Sequence, residues 1–173
     1  SYVQSFERRI QGLARSTDLL LNNGRAGVAL EELVESQIAP FSPPDTDRVD
    51  VSGPAVRLNM QAAQILGMAV HELSTNAVKY GAFGEGGGTL SVRWTLSGET
   101  LDFVWHETVP QALTASDRVG FGTTVLKSMV GHSLGAVVER DCHETGMEWR
   151  FSIPLSAIDP EQMPPPPGSL LGE

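Results

Sequence analysis

The 173-residue chain has a single cysteine, Cys142, so no internal disulfide can form, and a reducing compartment, the cytoplasm, fits best. That thiol reads as buried and inert rather than reactive. No stretch approaches the ~20 uninterrupted apolar residues of a membrane span, so direct membrane insertion is not expected. The opening SYVQSFERRIQGLARS has no apolar core of the kind a secretory leader carries. The chain begins without Met and reads as a fragment or processed piece of a longer protein. Positive charge is scarce, with 12 Lys and Arg against 21 Asp and Glu, a net charge of −9 and a pI near 4.8. This balance argues against nucleic acid and anionic membranes, which attract basic surfaces. An acidic chain can still hold a polyphosphate if Mg²⁺, helix N-termini and backbone N–H groups supply the positive potential locally. No GxGxxG or GxxxxGK(S/T) pattern sits in a strand–helix unit, so neither a Rossmann fold nor a P-loop is supported. No internal repeat is present, and the spacing of the four histidines suggests no metal cage.

What is there is a mixed pattern. Phe6, Ile10, Leu13, Leu20 and Leu21 recur at helical spacing, which predicts a helix over residues 4–22 with a narrow apolar stripe. Such a stripe suits packing on partner helices, or folding back on its own domain. Residues 29–38 read as a short helix ending before Pro40. RVDVSG and AVRLN read as two short strands in a hairpin-like arrangement around Gly53-Pro54. Residues 60–81 carry the longest helical pattern, and GEGGG (84–88) is a turn. LSVRWTL and TLDFVWHE alternate around Ser97-Gly98-Glu99, an antiparallel hairpin. Residues 121–133 are helical again, and GAVVERDC and MEWRFSIPL are the last two strands. From Ser156 the chain turns polar and ends in PPPPGSLLG, read as a disordered tail or linker. The fold class is therefore α+β: a two-layer sandwich of a mixed, antiparallel-rich sheet with helices on one face, preceded by one long helix. The domain reading is 1–23 for that helix, 24–155 for the sandwich and 156–173 for the tail.

The chemistry concentrates in HELSTNAVKYGA, residues 71–82. At 100° per residue, Asn76 lies roughly 40°, Lys79 roughly −20° and Tyr80 roughly 80° from Glu72. Leu66, Val70, Leu73 and Ala77 fall on an adjacent face that can bury into the sheet. The four polar residues suit a Mg–nucleotide. Asn oxygen can ligate Mg²⁺, Lys offers a point charge to phosphate, Glu can polarise a nucleophile, and Tyr can pack on a base. Read as pattern alone, the same stripe also describes the solvated side of any amphipathic helix. Glu107, in Trp105-His106-Glu107 at a strand end, could accept a hydrogen bond from an adenine amine or be a solvent-exposed acid. Gly120-Phe121-Gly122-Thr123, leading into a helix, could let backbone approach a phosphate or be an ordinary turn.

Taken in order and spacing, the three segments resemble the N, G1 and G2 boxes of the GHKL ATP-binding superfamily. More narrowly they resemble the HWE sensor histidine kinases, with His71, Trp105 and Glu107 in the signature positions. FERRIQGLARSTDLL resembles the second helix of that family's dimerisation and phosphoacceptor domain, LVESQIAPF the first helix of its catalytic domain, and Leu134-Gly135 and WRFSIPL also fit. The resemblance covers roughly residues 5–155. It implies that Asn76 ligates Mg²⁺, that Glu72 acts as base or orienting group and that His71 orients or packs. Lys79 contacts phosphates, Tyr80 lines the adenine side, and Glu107 replaces the usual adenine-reading aspartate. Gly120, Phe121, Gly122 and Thr123 close the phosphate end. The cofactors it implies are ATP and Mg²⁺, and catalysis would be positioning and charge neutralisation. The family's acceptor histidine lies on a helix preceding FERRIQ that this sequence does not contain. The chain is thus expected to bind ATP and to phosphorylate an acceptor helix supplied separately, for relay to a response regulator receiver domain, within a full-length homodimer.

Three positions depart from the family pattern. Thr108-Val109-Pro110 follows Glu107 in place of glycines, Met147 follows Gly146 where a water-holding Thr is frequent, and only a dozen residues separate Glu107 from Gly120. These departures keep open an alternative: a phosphotransfer or docking module that keeps the fold without binding ATP. A serine kinase of the same superfamily fits less well, because the match begins in the dimerisation helix. A chaperone- or topoisomerase-type ATPase uses a longer lid.

Overall fold

The computed structural model of the chain describes Ile10 and residues 27–44, 46–110 and 122–161. Apart from Ile10, which is helical, the helix expected over 4–22 lies outside the described residues, as do Gly120, Phe121 and the proline-rich end. The elements are β1 (Val28–Ala29), α1 (Leu30–Ile38), a 3₁₀ turn (Thr46–Arg48), β2 (Val49–Ser52), β3 (Arg57–Leu58), α2 (Met60–Tyr80), β4 (Thr89–Ser97), β5 (Thr100–Thr108), α3 (Gly122–Leu134), β6 (Val137–His143), β7 (Gly146–Pro154) and α4 (Leu155–Ile158). Among the described residues no helix is long and apolar enough to cross a membrane.

The period-2 pattern of the strands decides the architecture. Leu90, Val92 and Trp94 on β4, Leu101, Phe103 and Trp105 on β5, and Trp149, Phe151 and Ile153 on β7 are all buried. Register brings them side by side, with Trp94 opposite Phe103, Phe103 opposite Phe151, and Trp105 opposite Trp149. Alternate residues such as Arg93, Val104 and Arg150 stand on the other face. The sheet runs β2-β4-β5-β7-β6, parallel at β2–β4 and antiparallel elsewhere. Its apolar face is covered by α2, flanked by α1 and α3. This is the α+β sandwich expected from the sequence.

The hairpin expected around Gly53-Pro54 is not formed. β2 joins β4 in the large sheet, in parallel from Val49 opposite Leu90 to Ser52 opposite Arg93. β3 instead pairs with β1 in a separate two-stranded sheet, Leu58 opposite Val28. The reason lies with Trp94. Its indole Nε1–H donates to Pro54 O at 2.8 Å, and Gly53 lies flat against its ring, where any Cβ would collide. The segment is pinned on a tryptophan rather than folded back on itself. Gly53→Ala should therefore cost about 1–3 kcal/mol through displacement of Trp94. Chemical denaturation checks it, and an unchanged midpoint would contradict the packing described. Ala29 also differs from expectation: it is strand, and the helix starts one residue later than predicted.

The packed chain continues past Ser156. Asn59 caps α2, its Oδ1 accepting from Ala62 N at 2.8 Å. Its Nδ2 donates to Ala157 O at 3.0 Å and Asp159 O at 3.2 Å, and its backbone N–H donates to Ile158 O at 2.8 Å. α4 is thereby tied to the start of α2, with Ile158 buried. Cys142 is half-buried on β6, less enclosed than expected.

Candidate functional site

α2 separates its two faces as its periodicity predicts. Leu66, Val70, Leu73 and Ala77 are buried, Glu72 and Asn76 half-buried, and Lys79 and Tyr80 exposed. The side carrying Glu72, Asn76, Lys79 and Tyr80 is thus the open one. His71 faces elsewhere: it is buried, and its ring meets Phe41, just beyond α1, edge-on at 5.3 Å between centroids. That position suits packing.

Glu107 is the most unusual group. A strand-end acid would ordinarily be solvated, yet this one is 1% exposed. Trp105 and Glu107, two residues apart on β5, point to the same face. Trp105 Nε1–H donates to Glu107 Oε2 at 2.9 Å. The backbone N–H of Ala82, just past the end of α2, donates to Oε1 at 3.0 Å. The carboxylate approaches Gly81 so closely that a Cβ there would overlap Oε1, so any side chain at this position would have to displace the carboxylate. The Trp-x-Glu spacing therefore builds an oriented carboxylate against the last turn of the helix that carries Lys79 and Tyr80. His106, between them, points the other way, its Nδ1 3.7 Å from Glu148 Oε1.

Burial pushes the Glu107 carboxyl above its ordinary value of 4.5. The hydrogen bonds from Trp105 and Ala82 and the charge of Arg140 act in the opposite direction. Arg140 lies on β6, its Nε donating to Met147 Sδ at 3.4 Å and its guanidinium 5.7 Å from the Trp149 ring centroid. Met147, where the family often has Thr, pairs directly with Glu107 across β5 and β7 and is half-buried. The backbone after Glu107 is tied to the β6–β7 turn by Val109 N–H donating to Thr145 O at 2.8 Å. Gly122 and Thr123 form the first turn of α3.

Of the groups that act on Glu107, the sequence singled out Trp105 alone; the Ala82 amide and the Arg140 charge carry no motif. Only the burial of an acid at a strand end would have prompted a search for donors, and burial is not legible locally.

The HWE histidine kinase family model matches residues 1–55. Blue-light-activated histidine kinase 1 of Erythrobacter litoralis is 29% identical over 160 residues, 89% of this chain and 44% of that protein. The blue-light-activated histidine kinase of Brucella ovis is 29% identical over 163 residues, 92% of this chain and 33% of that protein. The chain thus spans less than half the length of these relatives. The solved histidine kinase domain of a blue-light activated histidine kinase from Erythrobacter litoralis superimposes with a TM-score of 0.68 at 20% identity, covering 88% of this chain and 75% of that one. The histidine kinase domain of the E. coli osmosensor EnvZ gives 0.53 at 15% identity, covering 74% and 87%.

Proposed function

We propose that residues 27–161 bind Mg–ATP and transfer its γ-phosphate to a histidine, a reading supported by the similarity of residues 1–55 to the HWE histidine kinase family model and by the likeness of the fold to a solved histidine kinase domain. The observation that carries this reading is the buried Glu107 carboxylate, held by Trp105 and Ala82 at the end of the helix whose open face bears Glu72, Asn76, Lys79 and Tyr80. A carboxylate has about four lone-pair directions, and two protein donors leave room for an adenine amine. The Asn76 side chain is a hard oxygen donor on the open face, which fits Mg²⁺.

In this mechanism Glu107 accepts from the adenine exocyclic amine and fixes the base, with Tyr80 beside it. Lys79 offers its charge to the phosphates, and Gly120–Thr123 close their end. Mg²⁺, when held through Asn76, supplies neutralisation of phosphate charge. The attacking imidazole nitrogen forms a P–N bond as the bond from the γ-phosphorus to the ADP oxygen breaks. Glu72 takes the other imidazole proton or orients that N–H. The acceptor histidine is supplied by a separate helix, and the phosphoryl group passes on to a receiver aspartate.

Calorimetric titration with Mg–ATP tests the reading directly. Micromolar-to-submillimolar binding that requires Mg²⁺ is expected. No heat at millimolar ATP would reject it in favour of a docking module that keeps the fold alone.

A further inference from the structure

Arg48, the last residue of the 3₁₀ turn before β2, reaches across to the segment that follows α2. Its Nη2–H donates to Ala82 O at 2.8 Å, and its Nε–H donates to Gly88 O at 2.7 Å. Ala82 is the residue whose own N–H holds Glu107 Oε1. One residue is therefore gripped on both sides, its carbonyl by the guanidinium and its amide by the carboxylate. The segment needs such a grip. It contains Gly84, Gly86, Gly87 and Gly88, and glycine loses more conformational freedom on ordering than any other residue. A planar guanidinium can bridge two carbonyls six residues apart with its geometry fixed, which an ammonium cannot do.

We propose that Arg48 is a positioning residue for base recognition: acting through Ala82, it sets where the Glu107 carboxylate stands and so the preference for a purine bearing an exocyclic amine. This rests on the nucleotide-binding reading above.

Two measurements on wild type, Arg48→Met and Arg48→Lys separate the outcomes. The first is NMR titration of the Glu107 side-chain carboxyl carbon, without nucleotide. Arg140 is the charged group facing Glu107 from the neighbouring strands. The other groups around Glu107 are uncharged: the Trp105 indole on its own strand, Leu90 on β4, Met147 on β7 and Gly81-Ala82. Loosening Ala82 removes a donor that stabilises the ionised form, so the midpoint should rise in Arg48→Met and return partway in Arg48→Lys. An unchanged midpoint in both variants overturns the proposal.

The second is calorimetry with Mg–ATP and with Mg–inosine triphosphate, which carries a carbonyl in place of the amine. Wild type should prefer ATP. Arg48→Met should lose about tenfold in ATP affinity, with the ATP-to-inosine-triphosphate ratio falling toward one. A uniform loss for both nucleotides would make Arg48 a structural residue only. If wild type binds neither nucleotide, the nucleotide reading fails, and the titration alone decides whether Arg48 controls Glu107. If Arg48→Met does not fold, Arg48→Lys carries both measurements.

Discussion

Glu107→Ala should destabilise the protein by about 2–4 kcal/mol. The substitution leaves the Trp105 indole N–H and the Ala82 amide without their acceptor in a buried place, and each orphaned donor costs about 1–3 kcal/mol. Removing a buried charge returns part of that, which keeps the net below the sum. Glu107→Gln should fall between, since its amide oxygen can serve one donor while its NH₂ group faces the other. The glutamine variant also isolates the pH dependence. Burial raises the Glu107 carboxyl in the folded state above 4.5. The folded chain therefore keeps a proton that the unfolded chain has released. Its contribution to stability is complete below about pH 4.5 and is lost as pH rises through the raised folded value. Subtracting Glu107→Gln from wild type in denaturation series across that window should show stability declining with pH. A difference that rises or stays flat would refute the assignment. ATP affinity should move oppositely, growing with pH as the carboxylate ionises and can accept from the adenine amine.

Asn76→Ala should weaken Mg–ATP binding at least ~10-fold, a loss of ~1.4 kcal/mol, without harming the fold. Asn76 is half-buried on the open face of α2, and Ala is the better helix former by several tenths of a kcal/mol. Stability should hold or rise slightly while binding falls, and this opposite movement distinguishes a lost metal ligand from a damaged helix. The loss should shrink when Mg²⁺ is chelated, because the variant then lacks nothing that wild type uses. Equal Mg–ATP affinity in calorimetry of the two proteins would remove Asn76 from the metal site and leave Glu107 without the partner face proposed for it.

The sequence by itself determined those features whose causes lie within a few residues. The i, i+3, i+4 recurrence of Leu66, Val70, Leu73 and Ala77 sets the buried side of α2 and so leaves Glu72, Asn76, Lys79 and Tyr80 on the other. The alternation of β4 and β5 about Gly98-Glu99 sets their pairing. Trp105 and Glu107 share a strand face because side chains repeat every second residue. Tertiary structure decided whatever depends on which distant surface arrives. Gly53-Pro54 reads locally as a hairpin turn, but the Trp94 ring occupies that place and sends β2 and β3 to different sheets. Ser156 reads as the start of a tail, but Asn59, about a hundred residues earlier, offers donors that dock α4. Glu107 reads equally as a solvated acid or a ligand. It becomes a buried, oriented carboxylate because the end of α2 closes over it with the Ala82 amide as donor, while Arg48 donates to the carbonyl of the same residue. Periodicity can state which side of an element is polar. It cannot state what will cover that side, because the cover, and with it the Ala82 amide that completes the hydrogen bonding of Glu107, comes from chain remote in sequence.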